Sequence, residues 1–337
     1  MKKNYKEFFQ DILTTFLSSG CDRESSTTNL RVISIEDATN IVNEFIKIST
    51  GKPLLDAYIT ENKICVVGDI RGQITTLRIL LENDKYFSSN YVFLGNYIGE
   101  GPKSLYCLLM VYLLKIINPH NVVIRGCNET EFGMRTLFND ILFHYADTSD
   151  FAGAIEDDIA YQKCEKFAQL VEHSFDYMSY CAVVNNRYFM SHAGLSEDAN
   201  FTFILAQLTK PFSLKLNSNF YAPPAGLEKA DRMNAIALEL LWNRYSNDDV
   251  RFNAILNHGC YKTYNDVAIA DFLGACLKEK KLYVVIHGHE DVDGYEVNDP
   301  KTSITLNSNT KDGKHRSVLF IMKNAEKVEQ IFVKVLS

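Results

Sequence analysis

The sequence predicts an α/β fold, and three observations support this prediction. Short apolar runs rich in β-branched residues recur from residue 63 onwards, and most of them end in a polar turn. Helical patterns lie between these runs, and the C-terminal part shows strand patterns alone. No break separates two cores in the 337 residues, so we expect one domain over 1–337, with N-terminal helices in 1–50 and the core in 63–337.

The first fifty residues are predicted to form two helices. Apolar residues at helical spacing cover about 4–17, and a polar stretch follows them. Ser34 with Asp37 three residues later is typical of a capping box at a helix start. The helix behind it is expected to bury Ala38, Ile41, Val42, Phe45 and Ile46.

Strand and helix patterns then alternate. KICVVGDI is a predicted strand that leads into a helix near 74–82, and YVFLGN is the next strand, before the helix KSLYCLLMVYLLKII. NVVIRGCNET, a mainly helical stretch over about 130–180 and RYFMSHAGL come next, and a Pro-containing connection leads to a helix that ends near Trp242. The last predicted strands are LYVVIHGHE, SITL, SVLFIMK and VEQIFVKVL.

Charge and cysteine usage restrict the classes of partner and compartment. The net charge of −7 argues against nucleic acid or an anionic membrane as a partner, because both require a basic surface. The longest apolar run, 105–117, contains Lys115 and is too short to span a bilayer, and the N-terminus lacks a signal-peptide pattern. The eight cysteines have no paired spacing, so we expect reduced thiols in an intracellular protein, cytoplasmic or nuclear.

Five predicted strand ends carry residue types that are common in metal sites. They are Asp69 in GDIRG, Asn96 in GNYIG, Cys127 in RGCNE, His192 in SHAGL and His289 in HGH. In open α/β sheets, ligands bind where the carboxyl ends of strands converge. Taken alone, each residue is more often an ordinary turn residue or a satisfied histidine, so the prediction of a shared cleft depends on all five.

In order and spacing these motifs resemble those of the protein Ser/Thr phosphatases of the type-1 and type-2A kind. The signatures of that family are roughly GDxHG, GDYVDRG, RGNHE, HGGL and a later RAH, and this chain has GDIRG, GNYIGEG, RGCNE, HAGL and HGH. The resemblance spans nearly the whole chain. It implies a calcineurin-like metallophosphoesterase fold, with a central β-sandwich flanked by helices.

The resemblance also implies which residues lie where the family holds two metal ions. Arg71 stands in place of a His ligand, Asn96 in place of a bridging Asp, and Cys127 in place of an Asn ligand. The positions that keep the family's ligand types are Asp69, His192 and His289. Half of the ligand set is therefore changed.

The catalytic positions that the resemblance implies are changed as well. Asn128 replaces the histidine that protonates the leaving oxygen, and an amide cannot act as a general acid. Arg125 and Glu129 match the family and are expected to be structural. The other changed positions are Gly99, where the family has an Asp that orients the histidine, and Glu100 and His258, where it has phosphate-binding arginines.

Charge argues against two metal ions in such a cleft. Among the six ligand positions, one carboxylate, Asp69, is offset by one guanidinium, Arg71, which does not deprotonate in proteins. Two unit charges 4 Å apart repel by about 4 kcal/mol at an effective dielectric of 20, and a divalent ion doubles this. We expect Arg71 to occupy the first site and to pair with Asp69, with Asn96 as a further candidate partner. The alternative is that Arg71 turns to solvent.

The remaining positions are a candidate site for a single zinc ion. Cys127, His192 and His289 supply a thiolate and two imidazoles, which zinc favours, with water or Asn96 as the fourth ligand. The alternative is an empty polar pocket in which Cys127 is buried as a small apolar residue. No other cofactor is predicted.

These changes predict a pseudophosphatase, a catalytically inactive protein Ser/Thr phosphatase-like protein that acts as a scaffold or as a competitor of an active relative. One alternative is a single-metal phosphoesterase acting on phosphoproteins, with Cys127 as ligand or nucleophile. Another is a phosphate sensor in which Arg71 and Arg244 hold a phosphorylated ligand. The experiments that separate these readings are catalytic assays and binding to phosphorylated peptides.

The predicted partners are proteins. The resemblance to type-1 phosphatases implies a short apolar docking groove, whose positions here include Val284, Val297, Val328 and Phe332. The alternative is that all four residues are ordinary sheet core.

Overall fold

The computed structural model describes most of the predicted core. The parts of the chain that it describes are residues 7–8, 11, 35–50, 55–58, 60, 62–83, 89–99, 101, 104–130, 161–197, 232–254, 262–277, 282–298, 301–309, 315–322 and 331–336. Several predictions lie outside these ranges, namely those for Ser34, Glu100, His258, Val328 and most of the helix over 4–17, of which residues 7, 8 and 11 are helical.

The helices agree with the predicted periodicity. Their bounds are α1 Ile35–Ser49, α2 Ile74–Asn83, α3 Ser104–Ile117, α4 Tyr161–Phe175, α5 Arg232–Trp242 and α6 Asp266–Leu277. Helix α1 buries Ala38, Ile41, Val42 and Phe45 as expected, and Ile46 is half-buried against the same core. Among the described helices, none combines the length and the apolar character that crossing a membrane requires.

The strands are short and mostly buried. Their bounds are β1 Leu55–Tyr58, β2 Ile64–Val67, β3 Asn90–Phe93, β4 Val122–Val123, β5 Cys181–Val184, β6 Tyr188–Ser191, β7 Arg244–Tyr245, β8 Phe252–Ala254, β9 Lys262–Tyr264, β10 Val284–His287, β11 Tyr295–Val297, β12 Ser303–Leu306, β13 Arg316–Ile321 and β14 Ile331–Leu336. The predicted strands in KICVVGDI, YVFLGN, RYFMSHAGL, LYVVIHGHE, SITL, SVLFIMK and VEQIFVKVL are confirmed.

Two sheets form the centre of the fold. One has the strand order β1-β5-β6-β10-β12-β11, and the other has the order β14-β13-β2-β3-β4. Strands β2, β3 and β4 run parallel to one another, and so do β6, β10 and β12. Within each of these sets the carboxyl ends therefore lie at one edge of the sheet.

Alternation along the strands divides the core into layers. In β2, Ile64 and Val66 pack between the two sheets, whereas Cys65 and Val67 pack against the layer of α1, α2 and α3. In β5, Ala182 faces the inter-sheet core, while its neighbours in the strand contact the layer of α5 and α6. The chain thus forms a mixed α/β fold in which two sheets pack face to face and helices flank them, the layered arrangement that the resemblance implied.

The pattern analysis did not predict β1, β5 or the small sheet β7-β9-β8. Strand β5 follows directly on a helical stretch, and its partner β1 lies far away in the sequence, in register from Leu55 opposite Cys181 to Tyr58 opposite Val184. Strands β7, β8 and β9 have two or three residues each. Such short segments become strands because a partner pairs with them, which local periodicity does not report.

Candidate functional site

The five predicted strand ends converge on one cleft edge. Asp69 follows β2, Asn96 follows β3, Cys127 follows β4, His192 follows β6, and His289 follows β10. All five side chains are buried, with exposures of 2%, 0%, 6%, 0% and 7% in that order. The convergence is a result of the parallel strand order in each sheet, which brings carboxyl ends to the same edge.

Arg71 and Asp69 form a close ion pair at this edge. The Nη2 and Nε atoms of Arg71 lie 3.0 and 3.1 Å from Oδ2 of Asp69. The Arg71 side chain is 16% exposed, and its Nη2 also donates to the carbonyl of His289 over 3.5 Å. The predicted pairing is therefore present, and the alternative in which Arg71 turns to solvent is wrong.

The backbone holds Arg71 in this position. Its φ of 49° lies in the left-handed region, which non-glycine residues adopt infrequently. The Arg71 N–H donates to the carbonyl of Asn96 over 2.7 Å, and the Gly101 N–H donates to the carbonyl of Arg71 over 2.7 Å. These bonds tie the turn after β2 to the turn after β3, so the guanidinium points at the carboxylate.

Protein donors occupy both oxygens of the Asp69 carboxylate. Besides Arg71, the Nδ2 of Asn96 donates to Oδ2 over 2.8 Å. The backbone N–H of His289 donates to Oδ1 over 3.0 Å, and Nδ1 of His192 lies 3.8 Å from that oxygen. A carboxylate has about four lone-pair sites, and most of them are taken here.

Asn96 connects the carboxylate to the thiol side of the cleft. Its Oδ1 accepts a hydrogen bond from the Asn128 N–H over 2.9 Å, while its Nδ2 faces Asp69. The Sγ of Cys127 lies 3.4 Å from both Oδ1 and Nδ2 of Asn96. Asn96 also has a left-handed φ of 53°, and its backbone N–H donates to Glu129 over 3.0 Å.

Cys127, His192 and His289 form a compact group of metal-binding residue types. The Sγ of Cys127 lies 3.4 Å from Nε2 of His192 and 3.5 Å from Nδ1 of His289. The three candidate ligand atoms all lie within 4.8 Å of one another. The Nδ1 of His192 donates to the carbonyl of Leu94 over 2.8 Å, which leaves Nε2 as the unprotonated nitrogen facing the sulfur.

Both imidazoles of this group are neutral near pH 7. Burial lowers the pKa of His192, although the nearby Asp69 carboxylate opposes the shift. Burial and the neighbouring His192 hold the pKa of His289 well below its ordinary value. The Nε2 of His289 is buried, with no hydrogen-bond partner among the described residues. Neutral imidazoles are the form that binds a metal.

Glycine at position 99 leaves room for the altered residues. A Cβ at this position would lie 2.9 Å from the Cβ of Arg71 and 3.0 Å from Nδ2 of Asn128. The Nδ2 of Asn128 donates to the carbonyl of Ile98 over 2.7 Å, so its amide is held by the backbone. An aspartate at 99 would not fit beside these two side chains without displacing them.

Glu129 organises the two turns around Asn96. Its buried carboxylate accepts hydrogen bonds from the backbone N–H groups of Asn96, Tyr97, Ile98 and Gly126, over 3.0, 2.7, 3.3 and 2.9 Å. Burial raises the pKa of Glu129, and these four bonds oppose the shift. Arg125 bonds Thr130 over 2.9 Å and Asp176 over 3.1 Å, away from the ligand positions. The structural role expected for both residues agrees with these contacts.

Glu290 and Arg244 lie beside the cleft, and Glu290 was not singled out from the sequence. Its carboxylate accepts a hydrogen bond from the Tyr245 N–H, and burial raises the pKa of Glu290 to about 7. Arg244 is exposed, and its charge helps to lower the pKa of His289. Within the described ranges its guanidinium makes no hydrogen bond or ion pair. The motif HGHE contains Glu290, but its burial depends on β7, which the sequence patterns did not reveal.

The candidate docking positions are part of the sheet core where they are described. Val284 is 1% exposed and packs between the sheets, and Val297 is half-buried against the same residues. Val284 therefore offers no surface to a peptide. The side chain of Phe332 lies outside the described part of the structure.

Comparisons with known proteins agree with the geometry of the fold. The family model described as "Calcineurin-like phosphoesterase" matches residues 62–293. A Saccharomyces cerevisiae relative, "Serine/threonine-protein phosphatase 2B catalytic subunit A2", is 29% identical over 50% of this chain and 25% of its own length. The "Serine/threonine-protein phosphatase 4 catalytic subunit" of Kluyveromyces lactis is 28% identical over 41% of each chain. The chain thus spans less than half the length of these curated relatives.

A solved structure extends the comparison to nearly the whole fold. A protein serine/threonine phosphatase from Saccharomyces cerevisiae, described as similar to human phosphatase PP5, superposes with a TM-score of 0.70. The match covers 97% of this chain and 95% of that one, at 16% identity. A cold-active protein tyrosine phosphatase superposes less well, with a TM-score of 0.51 over 86% of this chain. At these identities the superpositions show a shared fold.

Proposed function

Because this chain belongs to the calcineurin-like phosphoesterase family, we propose that it is a Ser/Thr phosphatase-like member that has lost two-metal catalysis and acts by binding other proteins. The observation that carries the proposal is the state of Asp69, the one carboxylate among the six ligand positions. Arg71, Asn96 and the His289 N–H donate to its two oxygens over 2.8 to 3.1 Å. A metal-dependent family is thus represented by a chain whose first ligand already binds a protein cation.

The residues present do not fit a pair of divalent ions. An ion bound to Asp69 would have to displace Arg71, which is 16% exposed and would be left without its carboxylate inside the cleft. The position of the bridging ligand is held by Asn96, a neutral amide whose Oδ1 already accepts the Asn128 N–H. Both the charge and the free lone pairs that two ions require are therefore lacking.

A second deficit is independent of the metal. Asn128 lies where the resemblance implies the general acid, and its amide nitrogen donates to the carbonyl of Ile98. An amide has no proton with a pKa near neutral pH, so it cannot protonate a leaving alkoxide. The two histidines of the candidate metal group, His192 and His289, are neutral and buried. Even with a metal ion bound, the cleft would consequently lack a general acid to protonate the leaving alkoxide.

A single-metal phosphoesterase remains the second candidate function, because Cys127, His192 and His289 are close enough to hold one ion. When bound, such an ion would polarise a phosphoryl oxygen. The surrounding groups argue against turnover, since Cys127 and His289 are 6% and 7% exposed and a substrate would have to reach between them. Arg71 is bound to Asp69 and is not available to orient a phosphate.

The test is a hydrolysis assay on the full chain. We expect no rate above buffer on an aryl phosphate or a phosphopeptide, with Mn²⁺, Mg²⁺ or Zn²⁺ added. A rate well above buffer that Asp69→Ala or His192→Ala abolishes would overturn the proposal. Loss of that rate in Cys127→Ser would favour the single-metal phosphoesterase instead. Circular dichroism of each variant separates a lost site from a lost fold.

The proposed partners are intracellular proteins, as scaffold contacts or as targets shared with an active relative. The acidic balance, with a net charge of −7, supports proteins over nucleic acid or anionic membrane. A phosphate sensor using Arg244 predicts a different result. Titration with one peptide in phosphorylated and unphosphorylated forms separates the two, because a scaffold should bind both forms alike, whereas a sensor should prefer the phosphorylated form at least tenfold.

A further inference from the structure

We propose that Cys127, His192, His289 and Asn96 bind a single zinc ion that links the two sheets and stabilises the fold without acting on a substrate. The inference rests on the proposed loss of the two-ion centre, since it assigns the remaining ligand positions a structural role. It differs from the binuclear arrangement in its ligand chemistry, because a thiolate has entered the set and Asp69 has left it.

The two distances from the sulfur of Cys127 to the histidine nitrogens match those of a tetrahedral zinc site. Zinc bonds of about 2.3 Å to sulfur and 2.0–2.1 Å to nitrogen, at tetrahedral angles, place each nitrogen about 3.6 Å from the sulfur. The Sγ of Cys127 lies 3.4 Å from Nε2 of His192 and 3.5 Å from Nδ1 of His289. One thiol proton can satisfy one of these nitrogens, whereas an ion at the centre contacts both.

Asn96 supplies the fourth ligand. Its Oδ1 lies 3.4 Å from the Sγ of Cys127, close to the separation expected for two ligands of one zinc ion. That oxygen accepts hydrogen bonds from the Asn128 N–H over 2.9 Å and from the Cys127 thiol over 3.4 Å, so loss of the thiol proton on zinc binding leaves one lone pair for the ion. The Nδ2 of Asn96 donates to Asp69 over 2.8 Å, and this bond fixes the orientation of the amide. Four protein ligands are the arrangement of structural zinc sites.

The four ligands come in equal numbers from the two sheets. Asn96 and Cys127 follow β3 and β4 of one sheet, and His192 and His289 follow β6 and β10 of the other. An ion bound to all four would therefore tie the sheets together at the edge of the sandwich. Because such a site does not exist in the unfolded chain, the binding free energy contributes directly to folding.

Charge also favours one soft ion at this place. With Asp69 neutralised by Arg71 at 3.0 Å, a Cys127 thiolate is the one remaining negative ligand, and it leaves a single net positive charge on a bound divalent ion. Thiolate and imidazole ligands select zinc over Mg²⁺ and Mn²⁺, which prefer oxygen. His192 already donates its Nδ1 proton to the carbonyl of Leu94, the outer contact that fixes a ligating imidazole.

The test measures metal content and stability of the full chain. We expect about one mole of zinc per mole of protein purified without added metal. After the zinc is removed with a chelator, free zinc at about a hundred times its dissociation constant should raise the melting temperature of the zinc-free protein by about 4 °C. Mg²⁺ and Mn²⁺ should have no such effect. Cobalt substitution should give a thiolate-to-cobalt charge-transfer band, which reports sulfur ligation without any variant.

Cys127→Ser should lose the zinc, the stabilisation by zinc and the charge-transfer band. Cys107→Ala is the matched control, because Cys107 is a fully buried thiol within α3 and should keep all three properties. Less than a tenth of a mole of zinc per mole, or zinc retained by Cys127→Ser, would overturn the inference. Neither result bears on the proposed function, which predicts no hydrolysis; hydrolysis by the zinc-loaded chain would overturn that function instead.

Discussion

The cleft has two halves, one around Asp69 and Arg71 and the other around Cys127, His192 and His289. Compared with the ligand set of the phosphatases that the chain resembles, the two halves differ in opposite ways. On the side of β2, Asp69 is neutralised by Arg71, which lies 3.0 Å from it. On the side of β4, Cys127 brings a potential thiolate within 3.5 Å of two neutral imidazoles. The first half contains a covalently attached cation, the guanidinium of Arg71. The second half contains a ligand, the Cys127 thiolate, that favours a soft metal ion such as zinc. Charge at each ligand position, and not the course of the strands, thus decides what each half can bind.

The largest expected effect is the loss of the carboxylate in the first half. Asp69→Ala removes the acceptor of Arg71, Asn96 and the His289 N–H at once, so we expect the free energy of unfolding to fall by about 3 kcal/mol. Urea denaturation measures this change. In an Asp69→Ala/Arg71→Met double variant the loss should be smaller than in Asp69→Ala alone, because no unpaired guanidinium remains. Equal losses would mean that the pair does not hold this half together.

A loss of stability of similar size is expected at low pH, from the protonation of His287 next to the second half of the cleft. Burial lowers the pKa of His287 to about 4, whereas an unfolded histidine titrates near 6.5. The unfolded chain therefore binds more protons between these values, and stability should fall as the pH drops from about 6.5 to 4, by about 3 kcal/mol for this residue. Urea denaturation of the zinc-free protein at several pH values measures the slope. His287→Gln should flatten it, and an unchanged slope would contradict the assignment.

Converting the first half back to metal-ligand residues should change its metal affinity by at least tenfold. Arg71→His with Asn96→Asp removes the fixed cation and supplies a second carboxylate, so we expect the double variant to bind Mn²⁺ more tightly than the natural chain. Isothermal titration calorimetry detects it. Arg71→Ala alone is the control for removal of charge without new ligands. The comparison between the halves fails if Mn²⁺ binds the natural chain as tightly as the double variant.

The smallest expected effect concerns the space beside Arg71. Gly99→Ala would place its Cβ 2.9 Å from the Cβ of Arg71, and we expect a loss of about 1–2 kcal/mol of stability through overpacking. Arg71 has a left-handed φ of 49°, so Arg71→Gly is compatible with the backbone and removes the contacting Cβ. In that background Gly99→Ala should cost less. A cost that does not depend on residue 71 would show that the contact is not the cause.

Much of the fold could be predicted because it depends on local periodicity. Helix α1 buries Ala38, Ile41, Val42 and Phe45 on one face, a spacing of three and four residues that the sequence displays directly. The pairing of β1 with β5 could not be predicted in this way, because it joins residues 55–58 to 181–184. The same limit applies to Glu290, whose half-buried contact with the Tyr245 N–H depends on the small sheet.

The sequence by itself determined which chemical groups stand at the strand ends. Residue type sets formal charge and ligand softness, so the presence of Arg71 near Asp69 and of Cys127 with two histidines was predictable before any contact was known. The general acid position is likewise neutral because Asn128 is an amide.

Only the tertiary structure decided which of these side chains contact one another. The side chain of Asn96 donates to Asp69 through its Nδ2, and its Oδ1 lies 3.4 Å from the Sγ of Cys127. The structure also placed Cys127 on one sheet and its two histidines on the other. Hydrogen bonding and metal coordination tolerate errors of only a few tenths of an ångström in the distances between atoms far apart in the sequence, and the packing of the two sheets sets those distances.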